Sequence, residues 1–185
     1  MNIIVKPYDS ELCYCRPDTT WERENKDFYS PECVNEIRWA PVVFARISKA
    51  GKCIGEKFTE RYFDGIGCGM LMYCHIDTDS STAFTSCIDH TTILPHPLYN
   101  PAILEGQKIF TVTVNGEEKS VDLSDAMTHI KEALCNASRL TSLRIGDFVA
   151  VELDTIQTLA KRDDSQVAVK GNFCKNDIFE FNIIF

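Results

Sequence analysis

EIRWAPVVFARISKAGKCIGEKFTERYFDGIGCGMLM, residues 36–72, reads as a strand, a turn, a short helix and a second strand. Val42, Val43, Phe44, Ala45 and Ile47 form an almost continuous apolar run, the pattern of a strand buried on both faces. The turn falls at Lys49 to Lys52, around Gly51. Helical spacing then holds from Glu56 to Phe63, with Phe58 and Tyr62 four apart on one face. Residues 66–72 are apolar again, and Gly65, Gly67 and Gly69 stand at alternate positions. Glycine at every second residue strips one face of a strand, so another backbone can approach closely there. These glycines lack the strand-before, helix-after setting of a dinucleotide fingerprint and read as packing.

Outward from this stretch, Ile3 to Val5 is a short strand stopped by Pro7. Residues 8–35 are polar and irregular, with a short strand near Phe28 and Tyr29. Residues 77–92, DTDSSTAFTSCIDHTT, read as a polar surface loop. Pro95, Pro97 and Pro101 keep the next passage extended. Lys108 to Val114 alternates as a strand, Asn115-Gly116 is a hairpin turn, and a return strand covers Glu118 to Asp122. Ser124 is positioned to cap a helix to Arg139, whose apolar stripe is Met127, Ile130, Leu134 and Ala137. Strands at 148–153, 166–170 and 178–184 complete an α+β, mostly β chain with two main helices.

The 185 residues suit one domain, 1–185, with 44% hydrophobic and 25% charged residues. A net charge of -8 and a pI near 5.0 argue against nucleic acid and anionic membrane as partners. No stretch approaches the roughly 20 apolar residues of a membrane span, and the N-terminus lacks a leader pattern, so a cytoplasmic location is expected. Nine cysteines without a CxxC pair read as reduced, mainly apolar side chains and not as a zinc site.

Three passages carry a resemblance. RPDTTWERENKDFYSP (16–31) precedes the first core strand. NEIRW, the Gly51-Lys52 turn and ERYFDGIGCG follow, and then FTVTVNGEEKSVDLSDAMTHIKEALCNASRLTSLRIGD (110–147). In order and spacing the chain resembles the fumarylacetoacetate hydrolase family, particularly its short single-domain bacterial members. The resemblance implies that family's fold of curled mixed sheets, and a homodimer or a heteromer with a paralogue. Family enzymes hold Mg²⁺ or Mn²⁺ with a Glu-x-Glu pair and an Asp, hard oxygen ligands that leave open positions to polarise a carbonyl. Here those positions fall on Ala40, Val42 and Leu71. The family lysine falls near Ser86, before Ile88-Asp89. Val151, Glu152, Leu153 and Asp154 replace a Thr-Gly-Thr-Pro motif, where an acidic pair would repel a substrate carboxylate. The expectation is a degenerate, non-catalytic relative without a cofactor.

Other residues offer chemistry by their spacing. His75, Asp77 and Asp79 alternate beyond the second core strand and would share one side of its continuation, a rebuilt Mg²⁺ or Mn²⁺ site in an active hydrolase or decarboxylase of 2-oxo acids. Cys87 with His90, and Cys74 with His75, are nucleophile–base pairs by proximity in sequence. His90 and His96 are candidate general bases.

Overall fold

The computed structural model describes residues 1–76 and 82–185. Its strands are β1 (Ile3–Lys6), β2 (Tyr14–Arg16), β3 (Trp21–Glu22), β4 (Phe28–Tyr29), β5 (Glu36–Ile47), β6 (Phe63–His75) and β7 (Thr92–Ile93). The second half adds β8 (Ile109–Val114), β9 (Glu117–Asp122), β10 (Phe148–Glu152), β11 (Gln157–Lys161), β12 (Gln166–Phe173) and β13 (Asn176–Ile184). Helical turns α1 (Thr82–Thr85) and α2 (Ile103–Gly106) accompany one long helix, α3 (Ala126–Leu140). The strands form a curled mixed sheet ordered β2-β1-β10-β5-β6-β7-β3, with β11 also on β5, and a second sheet ordered β4-β13-β12-β8-β9.

The long β5–β6 hairpin is the spine of the first sheet. Its register places Ala40 opposite Leu71, Val42 opposite Gly69, Phe44 opposite Gly67 and Arg46 opposite Gly65. Since alternate residues share a face, these eight line one side of the sheet. On that inner side Ile3, Val5, Ala40, Val42, Phe44, Leu71, Leu94, Phe148 and Ala150 pack into one apolar cluster. On the other side Val43, Ala45, Ile47, Ile66, Cys68 and Met70 join the main core, together with Ile130, Leu134 and Ala137 of α3. Burial on both faces is the physical cause of the continuous apolar run in β5.

The glycine stripe works at two positions in particular. A Cβ on Gly69 would sit 2.1 Å from the Ile93 carbonyl oxygen, so a second backbone does approach there. A Cβ on Gly67 would sit 2.4 Å from Cζ of Phe44. There the close neighbour is an aromatic ring from the partner strand.

Several expectations are corrected. Glu56–Arg61 is a 3-10 helix, not an α-helix, and Phe58 is 51% exposed. Glu56, Lys57, Glu60 and Arg61 leave that segment too few apolar side chains to bury a helical face. Ser124 does not cap α3, because Asp125 holds the cap position and the Ser124 hydroxyl donates to Asp122. The polar stretch 82–92 is only partly surface, since Thr85, Ser86, Thr91 and Thr92 are buried and Thr92 begins β7. The Asn115-Gly116 turn stands as expected, both residues at positive φ between Val114 and Glu117.

Candidate functional site

The inner face of the curled sheet is the concave surface toward which the resemblance points. Ala40, Val42 and Leu71 are each 0% exposed there. Phe44 and Phe148 meet edge to face above them, with centroids 5.6 Å apart, and Trp21 packs on Phe148 at 5.1 Å. Trp39 and Met72, paired across β5 and β6, belong to the opposite face. Methyl, isopropyl and isobutyl groups offer no donor atom to a divalent cation, so the residues at these three positions do not fit Mg²⁺ or Mn²⁺. Among the described residues, no group of three or more His, Cys, Asp or Glu side chains is arranged to hold a metal ion.

Polar chemistry gathers at one end of this face. Arg16 of β2 is 1% exposed. Its Nε donates to the Ser86 carbonyl at 2.8 Å, and Nη1 to the Thr91 carbonyl at 3.1 Å and Thr92 Oγ1 at 2.8 Å. Nη2 donates to the Met72 carbonyl at 2.6 Å. Since β2 and β7 lie toward opposite ends of the strand order, this one guanidinium ties the ends of the curled sheet together. Its carbon also sits 5.0 Å from the centre of the Tyr73 ring.

Tyr73 and Glu152 complete the network. The Tyr73 hydroxyl donates to Oε1 of Glu152 and shares a 2.7 Å hydrogen bond with the Tyr14 hydroxyl. Oε2 of Glu152 accepts the Tyr8 amide at 3.0 Å. Burial pushes the Tyr73 hydroxyl well above its usual pKa and Tyr14 up to about 12, so both stay protonated as donors. Burial also raises Glu152, against the opposing pull of Tyr73, the Tyr8 amide and Arg16. Among the described residues no buried side-chain nitrogen or oxygen lacks a partner.

A pH prediction follows from the sign of the Glu152 shift. A carboxyl whose folded pKa is raised binds its proton more tightly in the folded state. It therefore adds stability below its ordinary value of 4.5, and that stability is lost as pH rises through the folded value. Glu152→Gln keeps an oxygen for the Tyr8 amide and removes the titration. Wild type and E152Q are expected to melt alike near pH ~4 and to separate as pH rises toward ~7, with E152Q higher. Thermal melts across that range read this directly.

The other sequence candidates are dispersed. His75 ends β6, half-buried and opposite Glu36, and its carbonyl accepts the Asn35 amide at 3.1 Å. Asp77 and Asp79 lie outside the described residues. Cys74 and His75 are neighbours on a strand and so point to opposite faces, and burial lifts the Cys74 thiol to about 12. Cys87 gives its thiol hydrogen bond to the Ala83 carbonyl, whereas His90 Nδ1 is held at 2.8 Å by Glu22. Ser86 Oγ donates to the Ala83 carbonyl. Glu152 and Asp154 are not an acidic pair, because Glu152 turns inward to Tyr73 and Asp154 is held by Lys119 at 2.8 Å. No spacing in the sequence marks Tyr14, Arg16, Tyr73 and Glu152 as a unit. The available signal was alternation, which puts Glu152 on the same side as the inward-facing Phe148 and Ala150.

No protein-family model and no curated protein matches this sequence. Solved structures do match in backbone. The chain superposes on a protein from Yersinia pestis CO92 assigned to the fumarylacetoacetate hydrolase family, with a TM-score of 0.79 and 16% identity over 99% of this chain and 92% of that one. Fumarylpyruvate hydrolase from Pseudomonas aeruginosa, solved with Mn²⁺ and pyruvate, gives 0.80 and 15% over 100% and 90%. The 5-carboxymethyl-2-hydroxymuconate delta-isomerase from Mycobacterium smegmatis gives 0.79 and 12% over 99% and 78%. At such identities the likeness is one of fold, and no helix among the described residues is long and apolar enough to cross a membrane. This chain has the fumarylacetoacetate hydrolase fold, with an apolar interior at the three positions where the sequence resemblance expects metal ligands.

Proposed function

We propose that this chain is a non-catalytic, cytoplasmic protein of the fumarylacetoacetate hydrolase fold, which binds a small molecule or a second subunit without cleaving 2-oxo acids. The observation behind this is the register of β5 on β6. It sets Ala40 directly against Leu71, with Val42 beside them, all three fully buried. The P. aeruginosa hydrolase of the same fold was solved with Mn²⁺ and pyruvate, whereas these side chains supply no oxygen or nitrogen. Assembly as a homodimer or with a paralogue is carried into this proposal by the sequence resemblance alone.

The test is an assay of the purified chain on acylpyruvates and oxaloacetate with Mn²⁺ or Mg²⁺, beside thermal melts with the same ions. The expected results are no metal-dependent turnover and an unchanged Tm. A site filled at about 100 times its Kd would raise stability by about 2.7 kcal/mol, which a melt detects. Saturable, metal-dependent turnover overturns the proposal. If that turnover disappears in His75→Ala, the reading passes to a rebuilt site around His75, Asp77 and Asp79. Light scattering tests the assembly, and a monomer at all concentrations removes that part.

A further inference from the structure

A buried carboxylate and an exposed imidazole are joined beside the short strand β3. Glu22 ends that strand and is buried. Its Oε1 accepts the backbone amides of Arg23 and Glu24, at 2.9 and 2.6 Å, and its Oε2 lies 2.8 Å from Nδ1 of His90. Two main-chain donors thus fix the carboxylate that holds the ring. His90 is held from its own side as well. Its amide donates to the Thr19 carbonyl at 3.3 Å, and its backbone stands at a φ of 60°, a left-handed conformation that residues with a side chain seldom take. Such conformations persist where the surroundings over-determine them, and they gather at functional positions.

The rest of the imidazole is open. The His90 side chain is 57% exposed, and among the described residues Nε2 has no protein partner. Nδ1 bonded to an ionised carboxylate carries the ring proton, so in the neutral imidazole Nε2 keeps a lone pair. His90 borders a hollow of about 500 Å³ whose apolar wall is Phe28, Tyr29, Pro31 and Ile88. A space of that size suits a small ligand. Asp27 and Asp89 border the hollow too. Asp27 is hydrogen-bonded to the neutral Asn182 and keeps its charge, whereas the lysine on the wall, Lys26, is taken by Glu24 at 2.6 Å. The surroundings are therefore unfavourable to an anion.

We propose that His90, oriented by Glu22, and this hollow bind a small neutral aromatic alcohol of the phenol class, its hydroxyl donating to Nε2 and its ring lying on the apolar wall. Glu22 does not line the hollow, so the ring edge opposite Nδ1 is the one that addresses it. The lone pair selects a donor over an ether or ketone, and the two aspartates select against carboxylates and phosphates. Phe28, Tyr29 and Pro31 offer flat surfaces for a ring. The site deepens the small-molecule binding proposed above and rests on that reading only for the class of ligand.

Phenol and acetophenone are the probes, flat rings that offer respectively a donor and only an acceptor. Each is titrated at pH ~8.5, above the usual histidine range, and binding is read by NMR from the Ile88 methyl groups and the His90 ring. Phenol is expected to bind saturably and about five- to tenfold more tightly than acetophenone, the worth of one hydrogen bond. His90→Asn, a change compatible with the left-handed backbone, is expected to remove that preference. Glu22→Gln is the sharper variant. The amide oxygen keeps the two main-chain donors, the amide nitrogen turns to Nδ1, and the ring proton moves to Nε2. The order of the two probes is then expected to reverse. Equal affinities in the unaltered chain, a phenol preference surviving in H90N, or an unreversed order in E22Q overturns the proposal. None of these readouts involves turnover, so failure here leaves the non-catalytic reading intact, and metal-dependent hydrolysis would leave this site intact.

Discussion

Arg16→Ala is expected to cost about 3–5 kcal/mol of folding stability, from buried acceptors left without a donor together with the packing of a fully buried side chain. The side chain is 1% exposed, and its loss takes the guanidinium donor from the Ser86 and Met72 carbonyls and from the Thr91 carbonyl, which keeps the Met72 amide. Each buried group left unpaired costs about 1–3 kcal/mol, before the cavity is counted. Arg16→Lys is expected to recover little. An ammonium is a point charge, and it cannot reach carbonyls from three separate segments as the planar fork does. Because Arg16 links β2 to β6 and the start of β7, the damage should appear as early loss of cooperativity as well as a lower midpoint. Urea unfolding of R16A and R16K, followed by tryptophan fluorescence and circular dichroism, reads both effects. A loss below about 1 kcal/mol in R16A would place Arg16 among ordinary surface-type contributions and remove it as the closure of the sheet.

The second large effect is expected from writing carboxylates into the interior. Ala40→Glu, Val42→Glu and Leu71→Asp together would restore the acidic pattern that the resemblance associates with metal binding. The result is expected to be an unfolded or aggregated chain, with or without Mn²⁺. The three positions are 0% exposed, and Phe44, Leu94 and Phe148 occupy the volume around them. A buried, unpaired carboxylate carries a penalty of several kcal/mol even after relaxation, against a total stability of about 5–15 kcal/mol for a native domain. Leu71→Asp alone is the informative single change, with an expected loss above about 4 kcal/mol from the deleted side chain and the buried carboxyl combined. Recovery of a cooperative melt in the triple variant on adding Mn²⁺ would mean that the interior retains space for an ion. That outcome would count against the filling by aromatic side chains as the decisive change.

Much of the fold is written in local patterns. The apolar run of β5, the Asn115-Gly116 turn and the stripe of Ile130, Leu134 and Ala137 on α3 each state a period and a face. Those patterns are properties of neighbours a few residues apart, so they are readable without knowing the strand order. Where they failed, the cause was also local. Phe58 and Tyr62 are spaced for a helix, but Phe58 has no core to face and the segment settles as a 3-10 turn. The strands β2, β3, β7 and β11 carry polar residues such as Arg16, Glu22, Thr92 and Gln157 within two to five positions, so no apolar run marks them as one marks β1 and β10.

By itself the sequence determined three things. It specified a strand pair able to be buried on both sides, a glycine stripe on one face of that pair, and apolar residues at Ala40, Val42 and Leu71. Only the tertiary structure decided what meets those residues. Gly67 accommodates the Phe44 ring and Gly69 the Ile93 carbonyl, so the stripe serves a filled interior. The Arg16, Tyr73 and Glu152 network joins groups 56 to 79 positions apart. The pair formed by Glu22 and His90 likewise brings β3 to the residues that precede β7. Hydrophobic periodicity states that a face must be covered. Which polar group finds which partner depends on strand order and curl, and those arise from contacts across the whole chain.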